Sequence, residues 1–346
     1  MTFEYRLHRE FPSDLKADWE ELLAGAISPV PFLHYGYLEA WWRHKGAGEW
    51  PQAELALVTG WKDGRLAGVA PLFLVEHDGA RALMFLGSIE LSDYLDFIVQ
   101  GEDLHPFLTG LAGFLEGPDL PSWDRLDLYN VREDSPSLME LEQIAEGKGW
   151  GFSEEQAMKA PCLPLPGSWE AYLASLGKKQ RHEIRRKLRR MESSGLDHHW
   201  YIVKHGPELD GEIEAMLALM ADSEEKKAFL QPVRQQFLRD MMRQASGEGR
   251  LELAFLEIQG QKAAGFLCFD EFNEVWIYNS GIAPQWGELS PGWVLLARII
   301  AQAIEEGRSA VDFMRGDEEY KYRFGAENRA IQRILITREG SNIKMR

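Results

Sequence analysis

"RLELAFLEIQGQKAAGFLCFDEFNEVWIYNSGI", residues 250 to 282, decides the fold. Three runs rich in apolar, β-branched and aromatic residues, "RLELAFLEI", "AAGFLCFDE" and "EVWIYNSGI", are separated by short polar breaks, the first of them at Gly260. Runs of that length between turn residues read as an antiparallel meander. The helical period of "PGWVLLARIIAQAIEEG" and the strand-like run "SAVDF" follow. A meander, a crossing helix and a further strand make this half an α/β unit with a mostly antiparallel mixed sheet flanked by helices.

Upstream of the meander lie helical patterns in "SWEAYLASL", "HEIRRKLRRMESSG", "GEIEAMLALMADS" and "PVRQQFLRDMMRQAS". The second has a narrow apolar stripe, Ile184, Leu188 and Met191, and stops at Gly195. The first half repeats this order. Strand "FEYRLHREF" and helices "DLKADWEELLAGA" and "PFLHYGYLEAWWRHKG" precede "AELALVTGW", an Asp63-Gly64 turn and "AGVAPLFLVEH". Strands "RALMFLGS" and "YLDFIV", a helix from Leu104 to about Leu115, the strand "DRLDLYNV" and a helix from near Ser135 complete it. "KAPCLPLPGS" crowds three prolines and a glycine together and reads as the linker between domains at 1–158 and 166–330.

A chain of 346 residues suits two domains of about 150 residues each. An apolar fraction of 45% argues for packed globular structure. The formal charge of −17 speaks against DNA as a partner. Two cysteines, Cys162 and Cys268, form no disulfide framework and no metal-ligand spacing, and no His pair stands at i, i+4, so no metal site is expected. No apolar run reaches the length of a membrane span, and no leader is visible, so the expected location is cytoplasmic.

Against the acidic background, residues 178–190 hold eight Lys/Arg and one Glu, about +7 against about −24 for the rest. Such contrast steers phosphorylated ligands, or else makes a solvated helix face of weak ion pairs. Lys178, Arg181, Arg185 and Arg186 are the candidate phosphate contacts. A second dense stretch is "MRGDEEYKYRFG", residues 314–325. Asp312 lies just before it near a strand end, where α/β folds place ligands. Arg315 and Lys321 can pair with phosphate or carboxylate, and Tyr320 can stack or donate a proton. The same residues can equally form a network that pins a loop while Tyr322 and Phe324 pack inward.

"KKQRHEIRRKLRRMESSG", "WGELSPGWVLLARIIAQAIEEG" and "DFMRGDEEYKYRFGAENRAIQRILI" together resemble the CelD-like branch of the GNAT acyltransferases, which is related to the Fem aminoacyltransferases. "PFLHYGYLEAWWRHKG" and "LGSIELSDYLDFIV" resemble the N-terminal part of the same family, so the likeness covers most of the chain. It implies two tandem GNAT-like domains, with a C-terminal strand at about 331–340 returning to the first. It also implies acyl transfer to an amine, with acyl-CoA (acetyl-CoA) as co-substrate and no tightly bound cofactor.

In that family the donor's pyrophosphate rests on amides at the start of the helix after the fourth strand. Here that is "GELSPG", residues 287–292, followed by Trp293. Gly292 fits the family pattern. Gly287 stands for its Gln/Arg, Ser290 for its first Gly, Pro291 has no N–H, and Glu288 adds negative charge. Without a ligand, Ser290 would simply cap the helix. By the same resemblance, the strand "VWIYNSGI" offers a backbone N–H near Asn279 or Ser280 to an oxyanion. Tyr278 or Tyr320 would be the acid, Glu224 the base, and Lys321 matches a lysine assigned to the donor or intermediate in related transferases. Asp93, Tyr94 and Asp96 of "LSDYLDF" would orient the acceptor amine, or bind turn amides. Two further readings stay open: transfer from aminoacyl-tRNA, which the overall charge disfavours, and a non-catalytic ligand- or partner-binding protein.

Overall fold

Residues 3–338 are described by a computed structural model, apart from the side chains of Glu224 and Glu225. The chain divides into two units, one running to Lys159 and resuming at Arg329, the other spanning Ala160–Asn328.

In the first unit, β1 (Glu4–His8), α1 (Lys16–Ala24) and α2 (Tyr35–Arg43) precede a long hairpin. Each arm is broken once: β2 (Glu54–Leu55) continues as β3 (Leu57–Lys62), and β4 (Arg65–Ala70) as β5 (Leu72–His77). Pro71, which has no ladder N–H, stands at the second break. Asp63 and Gly64 at the tip both have positive φ, 52° and 76°, as a two-residue hairpin turn requires. The unit continues with β6 (Ala80–Phe85), β7 (Ile98–Val99), α3 (Leu104–Leu115), β8 (Arg125–Arg132), α4 (Ser137–Lys148) and β9 (Gly151–Lys159).

The expected strand "YLDFIV" shrinks to the two residues of β7. Its preceding backbone groups find other partners: Leu95 N–H bonds Asn130 O, and Phe97 N–H bonds the Asp96 carboxylate at 2.8 Å. With those needs met locally, no ladder forms there.

The second unit runs β10 (Cys162–Pro164), α5 (Trp169–Ser175), α6 (Lys178–Glu192), β11 (His198–Val203), α7 (Leu209–Ala221), α8 (Glu224–Phe229) and α9 (Pro232–Gly247). The meander follows as β12 (Leu251–Ile258), β13 (Gln261–Glu271) and β14 (Glu274–Ile282), then α10 (Pro291–Glu305), β15 (Ala310–Asp312) and α11 (Glu319–Arg323). Its sheet has the order β10-β15-β14-β13-β12-β11, antiparallel throughout except for the β14–β15 pair. Helix α10 buries Leu295, Leu296, Ile299, Ile300 and Ala303 in the core with α6 residues Ile184 and Met191. It ends before Gly307, whose φ of 73° no β-carbon residue adopts cheaply. Cys162–Pro164, inside the stretch read as linker, is an edge strand on β15; an edge tolerates Pro164.

The last strand, β16 (Ala330–Thr337), lies in the first unit's sheet between β8 and β9, antiparallel to both. Residues 339 and 340 of the expected strand fall outside the described residues. The first unit thus has sheets of order β1-β3-β4-β7 and β2-β5-β6-β8-β16-β9, the latter with β6 and β8 parallel. Strands β9 and β11 and the short helices α8 and α11 carry too little apolar periodicity to be read from sequence.

Candidate functional site

Strand β14 sets the geometry of the second unit. It pairs with β15 only at Glu274↔Ala310, Val275↔Val311 and Trp276↔Asp312. Beyond Trp276, β14 runs on to Ile282 without β15 beside it. A bulge shifts its register against β13, from Cys268↔Ile277 to Leu267↔Asn279, leaving Tyr278 as the extra residue. Ala283 N–H bonds Ala263 O. By the alternation of antiparallel ladders, Ser280 and Ile282 then turn their N–H and C=O groups away from β13, into the gap.

Three short contacts occupy that point. Ser280 N–H bonds Asn279 Oδ1 at 2.9 Å. Lys226 of α8 donates its ammonium to the same Asn279 Oδ1 at 2.9 Å and to Ser280 O at 2.5 Å. Helix α7 brings it there, because its last turn lies against Gly281: a β-carbon on Gly281 would stand 2.6 Å from Met220 N. No sequence pattern singled out Lys226; "EEKKAF" reads as an ordinary charged helix turn. The side chain of Glu224, the expected base, lies outside the described residues. Tyr278 is half-buried, its ring 5.9 Å from Phe269.

The gap exists because β15 stops. Asp312 Oδ1 accepts the Met314 N–H at 2.7 Å, and Met314 adopts a left-handed φ of 54° that turns the chain away. The dense stretch after it folds around Lys321, whose side chain is 3% exposed. Its ammonium donates to the carbonyls of Met314 (3.2 Å), Arg315 (2.7 Å) and Gly316 (3.2 Å), and pairs with Glu318 at 3.0 Å. An ammonium has three N–H donors, and these acceptors account for them. Lys321 therefore anchors its own loop, the network reading of the two that the sequence left open. Asp312, likewise, caps a turn; its carboxylate, that of Glu274 and Cys162 Sγ lie within 4.8 Å of one another and are a set of atoms that could hold an ion. Arg315 is half-buried in the same loop. Phe324 is buried against Trp293, ring centroids 4.7 Å apart, whereas Tyr322 turns its hydroxyl to Asp317 at 2.6 Å. Tyr320 packs edge-on to Phe313. Burial, and after it Glu318 and Cys268, raises its phenol above the usual tyrosine range, so it keeps its proton at neutral pH.

At the start of α10, Ser290 takes a left-handed φ of 53° and makes no side-chain cap. Its carbonyl accepts the amides of Trp293 and Val294, and Pro291 has none to offer. A β-carbon at Gly292 would meet the end of the exposed Ile282 side chain, Cδ1 at 2.5 Å. Lys187 of α6 lies 3.5 Å from the Trp293 ring centroid. One face of α6 and the end of α11 bound a hollow of about 610 Å³ lined by Lys178, Lys179, His182, Glu183, Arg186 and Arg323. Arg185 is exposed and lies outside that lining.

In the first unit, Asp93, Tyr94 and Asp96 are all buried. Arg132 lies over the Tyr94 ring at 5.9 Å. Asp96 Oδ2 accepts from Ser135 Oγ at 2.5 Å, and Ser135 is bonded in turn to Ser137. Asp96 thus binds a loop amide and a serine hydroxyl, the second of the two readings its sequence context left open. Burial pushes the Asp96 carboxyl up to about 6, against the lowering effect of hydrogen bonds from Ser135, Ser137 and Phe97 N–H. A carboxyl raised in the folded state binds its proton more tightly there than in the unfolded chain. Its contribution to stability is complete below pH 4 and declines as pH rises from about 4 to 6, by on the order of 3 kcal/mol. Urea unfolding of Asp96→Asn at several pH values should lack that decline; an unchanged pH slope would reject the assignment.

Residues 178–322 match the family described as the acetyltransferase (GNAT) domain. No curated protein matches the chain. Among solved structures, FemX superposes with a TM-score of 0.65 at 12% identity, covering 96% of each chain. A conserved protein of unknown function from Bacteroides thetaiotaomicron gives 0.60 at 13%, covering 97% of this chain and 100% of that one. L-PGS from Bacillus licheniformis gives 0.51 at 10%, covering 80% and 82%. Among the described residues, no helix is long and apolar enough to cross a membrane. Residues 178–322 of the second unit thus match a GNAT acetyltransferase domain, and the chain as a whole is an α/β protein of two units that shares its fold with FemX.

Proposed function

We propose that this protein is an N-acyltransferase that moves an acyl group from acyl-CoA to an amine-bearing small molecule at the gap between β14 and β15. The observation that carries the proposal is the end of parallel pairing at Trp276↔Asp312, which leaves the Ser280 N–H and C=O directed into the gap. An extended, amide-containing donor arm can pair with such an edge as a strand would. The match of residues 178–322 to the acetyltransferase (GNAT) domain supports this reading. So does the hollow lined by Lys178, Lys179, His182, Arg186 and Arg323, whose charge suits a phosphorylated donor. Holding donor and amine together supplies much of the rate enhancement for this class of reaction. Tyr320, protonated at neutral pH, and Tyr278 are the candidate acids for the leaving thiolate.

The same basic hollow favours a second reading, in which the donor is an aminoacyl-tRNA held through its phosphates. Calorimetric titration distinguishes the two. Micromolar binding of acetyl-CoA or a longer acyl-CoA is the expected result. Silence with every acyl-CoA but salt-sensitive binding of aminoacyl-tRNA would select the second donor. Silence with both would reject catalysis and leave a binding protein.

A further inference from the structure

Asn279 Oδ1 is an sp² oxygen that receives two hydrogen bonds in the gap, one from a backbone amide and one from an ammonium. A thioester carbonyl entering along the open edge of β14 would need those two donors. From this, we infer that Lys226 is a catalytic residue, the cationic half of an oxyanion site whose neutral half is Ser280 N–H, and that Asn279 Oδ1 occupies the acyl oxygen's position when no donor is bound. The inference rests on the acyl-transfer reading above and deepens it.

The geometry is specific. Lys226 reaches Ser280 from a helix more than fifty residues earlier in the chain, and it arrives because Gly281 lets the end of α7 lie directly on β14. Its ammonium contacts both Asn279 Oδ1 and Ser280 O, so it is held at the gap by two acceptors. Swinging the Asn279 side chain aside would release Ser280 N–H while Ser280 O still retains the ammonium. An acyl oxygen replacing Asn279 Oδ1 would then meet both donors at once.

The amine nitrogen of the acceptor attacks the thioester carbon, forming the C–N bond as the C=O π pair moves onto oxygen. Ser280 N–H and the Lys226 ammonium hold that oxyanion. The pair returns to re-form C=O, the C–S bond breaks, and the proton leaving nitrogen ends on the thiolate. An amide and a free thiol result, and Lys226 remains protonated throughout. A donor aimed at charge that appears only in the transition state raises turnover more than ground-state affinity. An ammonium makes a stronger donor to an oxyanion than a neutral group does.

The test uses the full chain, acetyl-CoA as donor and hydroxylamine as a small amine probe, with release of the CoA thiol as readout. Lys226→Met should lower kcat/KM by about 100- to 1000-fold, the usual loss for one oxyanion donor, while the Kd for acetyl-CoA stays within about threefold. Lys226→Arg should recover part of the rate, since it restores a charged donor. Near-UV circular dichroism of both variants should match the wild type. Turnover by Lys226→Met at the wild-type rate would overturn the inference. So would tighter acetyl-CoA binding with equal or faster turnover, which would make Lys226 a latch on the gap. Wild-type protein that neither binds nor cleaves any acyl-CoA would overturn the donor reading and this inference together. An active wild type with an equally active Lys226→Met would overturn the inference alone.

Discussion

Gly281→Ala is expected to lower the unfolding free energy by about 3 kcal/mol or more, the upper end for forcing atoms into a packed interior. The added β-carbon would stand 2.6 Å from Met220 N and closer still to the Leu219 carbonyl carbon. Both obstacles are backbone, at the end of α7, so no rotamer change relieves the overlap. Either β14 or the whole last turn of α7 must move. Leu217, Leu219 and Met220 of that helix are buried, and shifting them opens space in a close-packed core. By contrast, Gly292→Ala meets the Ile282 side chain, Cδ1 at 2.5 Å and Cγ1 at 3.2 Å, which is exposed and can turn aside, and should cost far less. Urea denaturation of the two variants checks the contrast. If Gly281→Ala unfolds at the wild-type midpoint, the close approach of α7 to β14 is wrong. On the acyl-transfer proposal, the variant should also lose activity beyond its loss of folded protein, because α7 is what carries Lys226 to Ser280.

The second large effect belongs to the first unit. Asp127→Ala should destabilise the protein by about 3–5 kcal/mol, as removing one partner from a buried ion pair does. Asp127 is fully buried on β8 and takes a two-pronged hydrogen bond from Arg333 of β16, Nε to Oδ1 at 2.8 Å and Nη2 to Oδ2 at 3.0 Å. Arg125 Nη2 lies 3.2 Å from the same carboxylate. Arg333 also stands 4.5 Å from the Tyr129 ring centroid and 3.3 Å from Glu155 on β9. One carboxylate thus pairs with two nearly buried guanidinium groups where three strands meet, and their other carboxylate partners, Glu155 and Asp78, stand further off at 3.3 and 3.9 Å. Removing it leaves two cations with little water to solvate them. A double variant, Asp127→Leu with Arg333→Met, should recover part of the loss because an apolar pair replaces a half-broken ionic one. Guanidinium and urea melts measure both. A single variant as stable as the wild type would show that the carboxylate is not needed there.

These two sites also separate what is legible in a sequence from what is not. The meander of residues 250–282, helix α10 and the apolar stripe of α6 follow from period and turn chemistry, because each is a local pattern of side chains meeting a common core. The charge contrast of α6 is equally local, and it marks the basic hollow. Lys321 is legible as a residue with partners, but not which partners: its sequence neighbours carry several acids and carbonyls, and only the fold of the loop gives the ammonium to three carbonyls and Glu318. Asp96 reads as a turn or ligand carboxylate from its polar type; its burial depends on Ser135, 39 residues away.

The sequence by itself determined the α/β character of the chain, its meanders and helices, and the concentration of positive charge on α6, since these depend on neighbours within a few residues. Only the tertiary structure decided that β15 stops short of β14, that Gly281 admits α7, and that Lys226 and Asn279 meet Ser280 in the resulting gap. Those facts are distances between segments tens of residues apart, and strand register and helix docking, which fix them, depend on packing energies summed over the whole unit.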